Sequence, residues 1–279
     1  MSQMHPVLLL LSIALFLCPC IHLVCSEKQV LVGTNLPVEG CRDGECRVKG
    51  TDCTHINKIF PDAPSGIYMI QPMGSPFKVF CDMQDDGGWT VIQSRNGLDS
   101  LNFDKLWIDY KEGFGHQSCE HWLGLEKIYA LTNQTNKKFK LRVFLKDFED
   151  GNALAEYSEF WIGSEREFYR LHLGNYSGNA GDAFRGIEPF EDDQDGCMFS
   201  TYDKDNDRCS PCIFGDLAIE SCSDMFGGGW WFNQCGMADL NGDWHSKDNH
   251  IGWQSGVHWK TWKKLPYSLQ ASRLKIRSL

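Results

Sequence analysis

The chain has 279 residues, 42% hydrophobic and 23% charged, the balance of a globular protein. Its formal net charge of −10, with no extended Lys/Arg block, argues against nucleic acid or an anionic membrane surface as the main partner. Ten Trp, 17 Phe and 27 Gly describe large aromatic anchors separated by many tight turns.

Residues 1–26 carry no Asp, Glu, Lys or Arg, and "PVLLLLSIALFLCPCIHLV" is one apolar block. This reads as a secretory signal peptide cleaved after Ser26, with Val24 and Ser26 small enough for the peptidase. The competing reading is an uncleaved anchor, since about 18 apolar residues can span a bilayer. With Lys28 as the first basic residue beyond the block, an anchor would leave the body cytosolic. Thirteen cysteines speak against such a reducing compartment. Cleavage removes Cys18, Cys20 and Cys25 and leaves ten cysteines, an even number that suits full pairing in an extracellular protein. Asn133-Gln-Thr and Asn175-Tyr-Ser are glycosylation acceptors and agree with that location.

Residues 27–50 form a short polar linker without heptads or Gly-X-Y repeats. Cys41 and Cys46 lie on it and are the candidates for a local bridge or for a disulfide-linked oligomer. From residue 51 to 279 the aromatic density is sustained, which predicts one domain. "GIYMIQ", "FKVFC" and "WTVIQS" read as strands divided by Gly, Pro and Asp turns. "SLNFDKLWIDYKEGFG" predicts a helix, with Phe103, Leu106, Trp107 and Tyr110 on one face, Asn102 as N-cap and Gly113 as stop. "LEKIYALT" predicts a second, shorter helix. "KFKLRVFLKD" alternates strictly, with Phe139, Leu141, Val143 and Leu145 on one side of a half-buried strand. Beyond Gly181 loops and cysteines dominate until "YSLQASRLKIRS", a closing strand. Loops on a regular scaffold are where binding sites usually sit.

The loop half contains "FSTYDKDNDRCSPC". Asp203, Asp205 and Asp207 on alternate positions either hold a hard cation or form a solvated acidic turn. They are not an EF-hand, because the sixth position is Arg208 and the twelfth Phe214. Cys209-x2-Cys212 is a disulfide or half a zinc site, and a secreted chain favours the disulfide. No H-E-x-x-H, G-x-S-x-G or phosphate-binding Gly loop is present, and the spacing of His245, His250 and His258 matches no zinc hydrolase. The residues predict no enzyme.

Seven motifs in order, "SGIYMIQPMG", "VFCDMQDDGGWTVIQSR", "YKEGFG", "WLGLEKIYALT", "FSTYDKDND", "GGWWFNQC" and "YSLQASRLKIRS", resemble those of the fibrinogen C-terminal domain family. The resemblance runs from Asp52 to Arg277 and is nearest in character to the angiopoietin-related branch, with ficolins and tachylectins also similar. It implies an α+β fold with a central, mainly antiparallel sheet, short helices and a loop-rich calcium and ligand region. It implies disulfides Cys53–Cys81 and Cys222–Cys235, each stabilising by about 3 kcal/mol in the chain-entropy model. Cys119, Cys197, Cys209 and Cys212 depart from the family pattern and could form two further bridges, Cys209–Cys212 among the options, leaving no free thiol.

The resemblance also implies that Asp205 and Asp207 bind Ca2+ with nearby carbonyls, Asp203 supporting. Asp207 and Cys222 are fifteen positions apart, so this loop carries an insertion relative to the family. By position, the pocket of acetyl-sugar binders maps to Phe226, Cys235, Gly236, Trp253, Gln254 and Leu265. Gly236 stands where those members have His, and Leu265 replaces a common Tyr. The peptide entering Cys235 is expected to be cis in the calcium-loaded protein. Two functions follow from the resemblance: a calcium-supported lectin for acetylated glycans, or a ligand of a cell-surface receptor through the same loops. A matrix-interaction module is a third.

Overall fold

The computed structural model describes residues 50–84, 86–187, 192–214, 216–247, 256–264 and 267–279. The segments read as signal peptide and linker, Cys41 and Cys46 included, lie outside the described residues, as do His250, Trp253, Gln254 and Leu265. Among the described residues no helix is long and apolar enough to cross a membrane.

The chain enters through α1 (Cys53–Ile59), a helix the residue pattern did not announce. Asp52 caps it, accepting the His55 N–H at 2.8 Å, and satisfies one of the donors a helix start leaves open. Three strands follow, β1 (Gly66–Ile70), β2 (Phe77–Asp82) and β3 (Trp89–Arg95), where the alternating apolar runs placed them. The Cys53–Cys81 disulfide fastens α1 to β2.

Helix α2 covers only Trp107–Glu112, so the expected helix is shorter at its start. Asn102 instead accepts the Asp104 N–H at 2.8 Å and holds a turn, the usual competition of a short polar side chain with helix. Phe103, Trp107 and Tyr110 are buried as expected, while Leu106 is exposed. Gly113 ends the helix at φ 94°, a conformation glycine adopts without strain. The pair β4 (Phe114–Gly115) and β5 (His121–Trp122) then leads into α3 (Leu125–Thr132), which has the expected bounds.

Strand β6 (Phe139–Lys146) buries Phe139, Leu141, Val143 and Leu145 and turns their neighbours outward. Next come β7 (Asn152–Tyr157), β8 (Phe160–Ile162), β9 (Leu171–Leu173) and β10 (Tyr176–Gly178). The loop half holds the hairpin β11 (Cys212–Phe214) and β12 (Leu217–Ile219), the short helix α4 (Cys222–Phe226), and the pair β13 (Ala238–Asp239) and β14 (His258–Trp259). The chain closes with β15 (Ala271–Ser278).

The main sheet runs β1-β2-β3-β15-β6-β7-β10, with β5 pairing β3 and β4 to one side. Every pairing in it is antiparallel. Strand β15 therefore lies in the middle, between β3 and β6, so the centre of the sheet forms only once residues 271–278 are in place. Gln93 on β3 ties the sheet to the loop half. Its fully buried side chain donates to the Leu240 carbonyl at 2.8 Å and to Ser272 Oγ on β15 at 3.0 Å. Trp122, Phe199, Trp230 and Trp231 fill the space between the two halves, with Trp122 and Phe199 ring centroids 5.9 Å apart.

Candidate functional site

The aspartate loop is held from both sides. Ser200 and Trp230 exchange backbone hydrogen bonds at 2.9 and 3.1 Å, so the loop is stitched to the "GGWWFNQC" segment. Asn206 donates to the Phe199 carbonyl and receives support from Ser200 Oγ at its own N–H, both at 2.9 Å. Lys204 lies 4.0 Å from the Trp107 ring centroid, a cation–π contact that packs the loop on α2.

The three aspartates do not converge on one point. Asp203 turns away: its Oδ1 accepts the Trp107 N–H at 2.9 Å and the Thr201 hydroxyl at 2.7 Å, which anchors the start of α2. Asp205 is exposed and accepts the Asp207 N–H at 3.1 Å. Asp207 is 1% exposed and sits beside the Asp205 carboxylate that accepts its N–H. Its two oxygens accept the N–H groups of Cys209 at 2.8 Å and Cys222 at 2.5 Å. Burial and the facing Asp205 raise the Asp207 pKa to about 6, against the lowering effect of those N–H donors. A buried carboxylate opposite a second one needs a proton or a cation between them. Hard oxygen donors of this kind suit calcium.

Cysteines on both sides of the insertion bind Asp207 through their backbone N–H groups. Cys222–Cys235 and Cys209–Cys212 are both bridged, as the resemblance and the x2 spacing indicated. Of the two further bridges those four cysteines could form, the described residues show only Cys209–Cys212. Cys119 and Cys197 are not joined to each other, because Cys119 precedes β5 while Cys197 lies beside β9, its carbonyl accepting the Leu171 N–H. Cys197 is a buried thiol donating to the Asp193 carbonyl at 3.4 Å, and burial pushes its pKa up to about 11. The expectation of a chain without a free thiol is therefore corrected at Cys197.

Of the pocket mapped by position, Phe226 and Cys235 are fully buried. Phe226 packs between Phe232 and His258, with centroid distances of 5.8 and 5.6 Å. Gly236 adopts φ 65°, and a Cβ there would sit 2.7 Å from the Gln194 side chain. Gln194, which sequence reasoning did not single out, accepts the Ala238 N–H at 3.2 Å and donates to its carbonyl at 3.0 Å. The residue that replaces the family's His is thus one that Gln194 requires to be small. The Gly236 carbonyl accepts from Lys260 Nζ at 2.8 Å. The Gln234–Cys235 peptide, expected to be cis with calcium bound, is trans here, with both residues at positive φ. The only cis bond among the described residues is Ser210–Pro211.

Among the histidines, His258 is fully buried with Nδ1 donating to the Gly256 carbonyl at 2.9 Å. Desolvation lowers its pKa to about 3. The sequons differ sharply. Asn175 is exposed, whereas Asn133 Nδ2 donates to the carbonyls of Tyr129 at 3.0 Å and Ile162 at 2.9 Å.

The fold is thus an antiparallel sheet centred on β15 with a disulfide-clamped acidic loop on its irregular side. Comparison with known proteins gives the family. The model described as "Fibrinogen beta and gamma chains, C-terminal globular domain" matches residues 49–279, and the chain belongs to that family. It is 42% identical to human angiopoietin-4 over 233 residues, 82% of this chain and 42% of that protein. It is 40% identical to human fibrinogen-like protein 1 over 238 residues, 81% of this chain and 71% of that one. The chain thus spans about two fifths of the angiopoietin-4 length. Among solved structures, the fibrinogen-like globe domain of human ANGPTL2 superposes with a TM-score of 0.71 at 38% identity, covering 82% of this chain and 98% of that one. Lamprey fibrin D-dimer, complexed with the peptide Gly-His-Arg-Pro-amide, gives 0.74 at 34% identity, covering 85% and 77%.

Proposed function

We propose that this is a secreted, non-enzymatic recognition protein that binds an extracellular ligand through loops supported by Ca2+ at Asp205 and Asp207. The observation that carries the reading is the buried Asp207 carboxylate facing Asp205 while both its oxygens hold the backbone of the cysteine clamp. A cation there would neutralise the pair and fix the loop at the same time. Asp203, engaged with α2, acts in positioning the loop rather than as a ligand. Kinship with angiopoietin-4 and the fibrinogen-like proteins supports extracellular recognition.

Between glycan and receptor, the loop surface favours a protein partner. Phe226 is buried and Gln194 occupies the space of the missing His side chain, so the acetyl-sugar cup is reduced. Beside the clamp, the β11–β12 hairpin exposes Ile213 and Leu217, 66% and 44% accessible, as apolar contact for a protein surface. A glycan array and a cell-surface binding assay, each run with calcium and with chelator, test this. Calcium-dependent binding to protease-sensitive sites on cells, with an empty glycan array, is expected. Calcium-dependent binding to acetylated glycans would establish the lectin reading instead.

A further inference from the structure

Around Asp207 the two disulfides are not merely near each other; their sulfurs are in contact. Cys209 Sγ lies 3.3 Å from Cys222 Sγ and 3.9 Å from Cys235 Sγ. The sulfurs of Cys209, Cys222 and Cys235 form one buried cluster within 4.8 Å. Structural disulfides are ordinarily separated by packing, and one carboxylate binds the backbone of a cysteine from each bridge. Asp207 accepts from Cys209 N at 2.8 Å and from Cys222 N at 2.5 Å. The two residues that are not bridged to each other are thereby held with their sulfurs 3.3 Å apart, in reach of a new bridge.

We propose that Cys209, Cys212, Cys222 and Cys235 form a thiol–disulfide exchange site whose co-reactant is a small dithiol, and whose product carries a Cys209–Cys222 bridge. Attack begins at the Cys209–Cys212 pair. Cys209 and Cys212 retain 9% and 6% exposure beneath the exposed Ser210, Pro211 and Ile213, whereas Cys222 and Cys235 have none. A thiolate of the dithiol bonds to Cys212 Sγ, and the Cys209–Cys212 bond breaks with its electron pair on Cys209. Cys209 Sγ sits to the side of the Cys222–Cys235 bond, nearly equidistant from its ends, so while bridged it has no in-line approach. Opening its own bridge frees rotation about its Cα–Cβ bond. Cys209 then attacks Cys222 Sγ, and Cys235 leaves as thiolate and takes a proton from water. The second sulfur of the dithiol closes on the first, expelling Cys212 as a thiol. One dithiol is oxidised to its disulfide, and the protein passes from two bridges to one bridge and two thiols.

The step in which Cys209 displaces Cys235 is close to balanced in loop entropy, and the only closure the whole exchange gives up is the short Cys209–Cys212 loop. Cys222–Cys235 closes a loop of sequence separation 13, and Cys209–Cys222 closes one of the same separation. Cys53–Cys81 joins α1 to β2, belongs to no cysteine cluster among the described residues, and stays outside the exchange. The consequence is local. The link between the aspartate loop and α4 tightens, while the segment ending at Cys235 is released from its staple.

The test treats the intact secreted protein with graded dithiothreitol, quenches with N-ethylmaleimide, and maps bridges in unreduced peptides by mass spectrometry. The expected first product has Cys209 linked to Cys222, Cys212 and Cys235 alkylated, and Cys53–Cys81 intact. Cys235 is expected to become alkylated at about tenfold lower dithiothreitol in the native chain than in Cys209→Ser. A first product with Cys209 and Cys212 both alkylated and Cys222–Cys235 intact overturns the proposal, as does a Cys209–Cys235 link. Cys212→Ser gives a second reading without reductant: Cys209–Cys222 with a thiol at Cys235 is expected, and retained Cys222–Cys235 contradicts it. If that variant is not secreted, the titration of the native chain decides alone. Because the map reads only sulfur, its failure is separate from any failure of the calcium reading.

Discussion

Asp207 and Cys222, fifteen positions apart, are joined directly: the Asp207 carboxylate accepts the Cys222 backbone N–H at 2.5 Å. Its other oxygen takes the Cys209 N–H, so one side chain spans the whole inserted segment. The carboxylate is therefore structural as well as a candidate calcium ligand, and substitutions in the loop separate these roles. Asp205→Ala, at an exposed position, is expected to abolish calcium binding with little loss of stability in chelator. Asp207→Ala should lose both, since each of two N–H groups left without a partner costs about 1–3 kcal/mol. Asp203→Ala should cost about 1 kcal/mol through the start of α2 and leave calcium binding in place. Asp192→Ala should leave it in place too. Calorimetric titration and chemical denaturation of the four variants check all of these.

The raised pKa of Asp207, about 6, fixes the sign of a pH effect. A carboxylate raised above its unfolded value contributes stability that is full below about pH 4 and is lost as pH rises through about 6. Asp239, fully buried and raised to about 7, acts in the same direction. In chelator the stability that Asp207 contributes, read as the melting-temperature difference between the native chain and Asp207→Asn, should therefore fall as pH rises from about 4 to 6. The buried His258 and His121, lowered to about 3 and about 4, act in the opposite sense on the native chain as a whole. Calcium displaces the proton at Asp207, so the increment it adds should grow over the same range. Melting curves at several pH values, with and without calcium, measure both trends.

Gly236→His, which restores the side chain common to acetyl-sugar binders, is expected to destabilise the domain. The backbone is at φ 65° and a Cβ would meet Gln194 at 2.7 Å. A non-glycine residue in that region costs about 1–3 kcal/mol before the clash is added. Denaturant unfolding should show at least that loss, and glycan-array binding should not appear. Gain of acetyl-sugar binding with unchanged stability would mean that Gln194 yields its place.

The two sequons should behave differently. Asn175→Gln is expected to increase gel mobility by one glycan, while Asn133→Gln leaves mobility unchanged and lowers stability by about 1–2 kcal/mol. The Asn133 amide hydrogen-bonds the Tyr129 and Ile162 carbonyls, tying the end of α3 to β8, and losing such bonds has that magnitude. Mobility before and after glycosidase treatment reads the first outcome.

Much of the scaffold was legible because its elements obey local rules. The alternation of Phe139, Leu141, Val143 and Leu145 needed no tertiary information, and α3 was bounded by its own residues. The start of α2 was not legible, since Asn102 looks like a cap but folds back on Asp104, and the donor at Trp107 is satisfied by Asp203 from 96 residues away. In the site, the comb of aspartates and the x2 cysteine pair were visible as types and spacings. Their division of labour was not, because it depends on which carboxylate is buried. Gln194 left no signal, since a polar residue in "EDDQDG" reads as solvated until the loop is seen to close over Gly236.

Calcium bound at Asp205 and Asp207 should order the recognition loops, and thermal unfolding of the protein against calcium concentration reads this ordering. The melting temperature is expected to climb with calcium up to millimolar levels, to return to its starting value in chelator, and to be unresponsive in Asp205→Ala. A native chain whose melting temperature is the same in millimolar calcium and in chelator would contradict it.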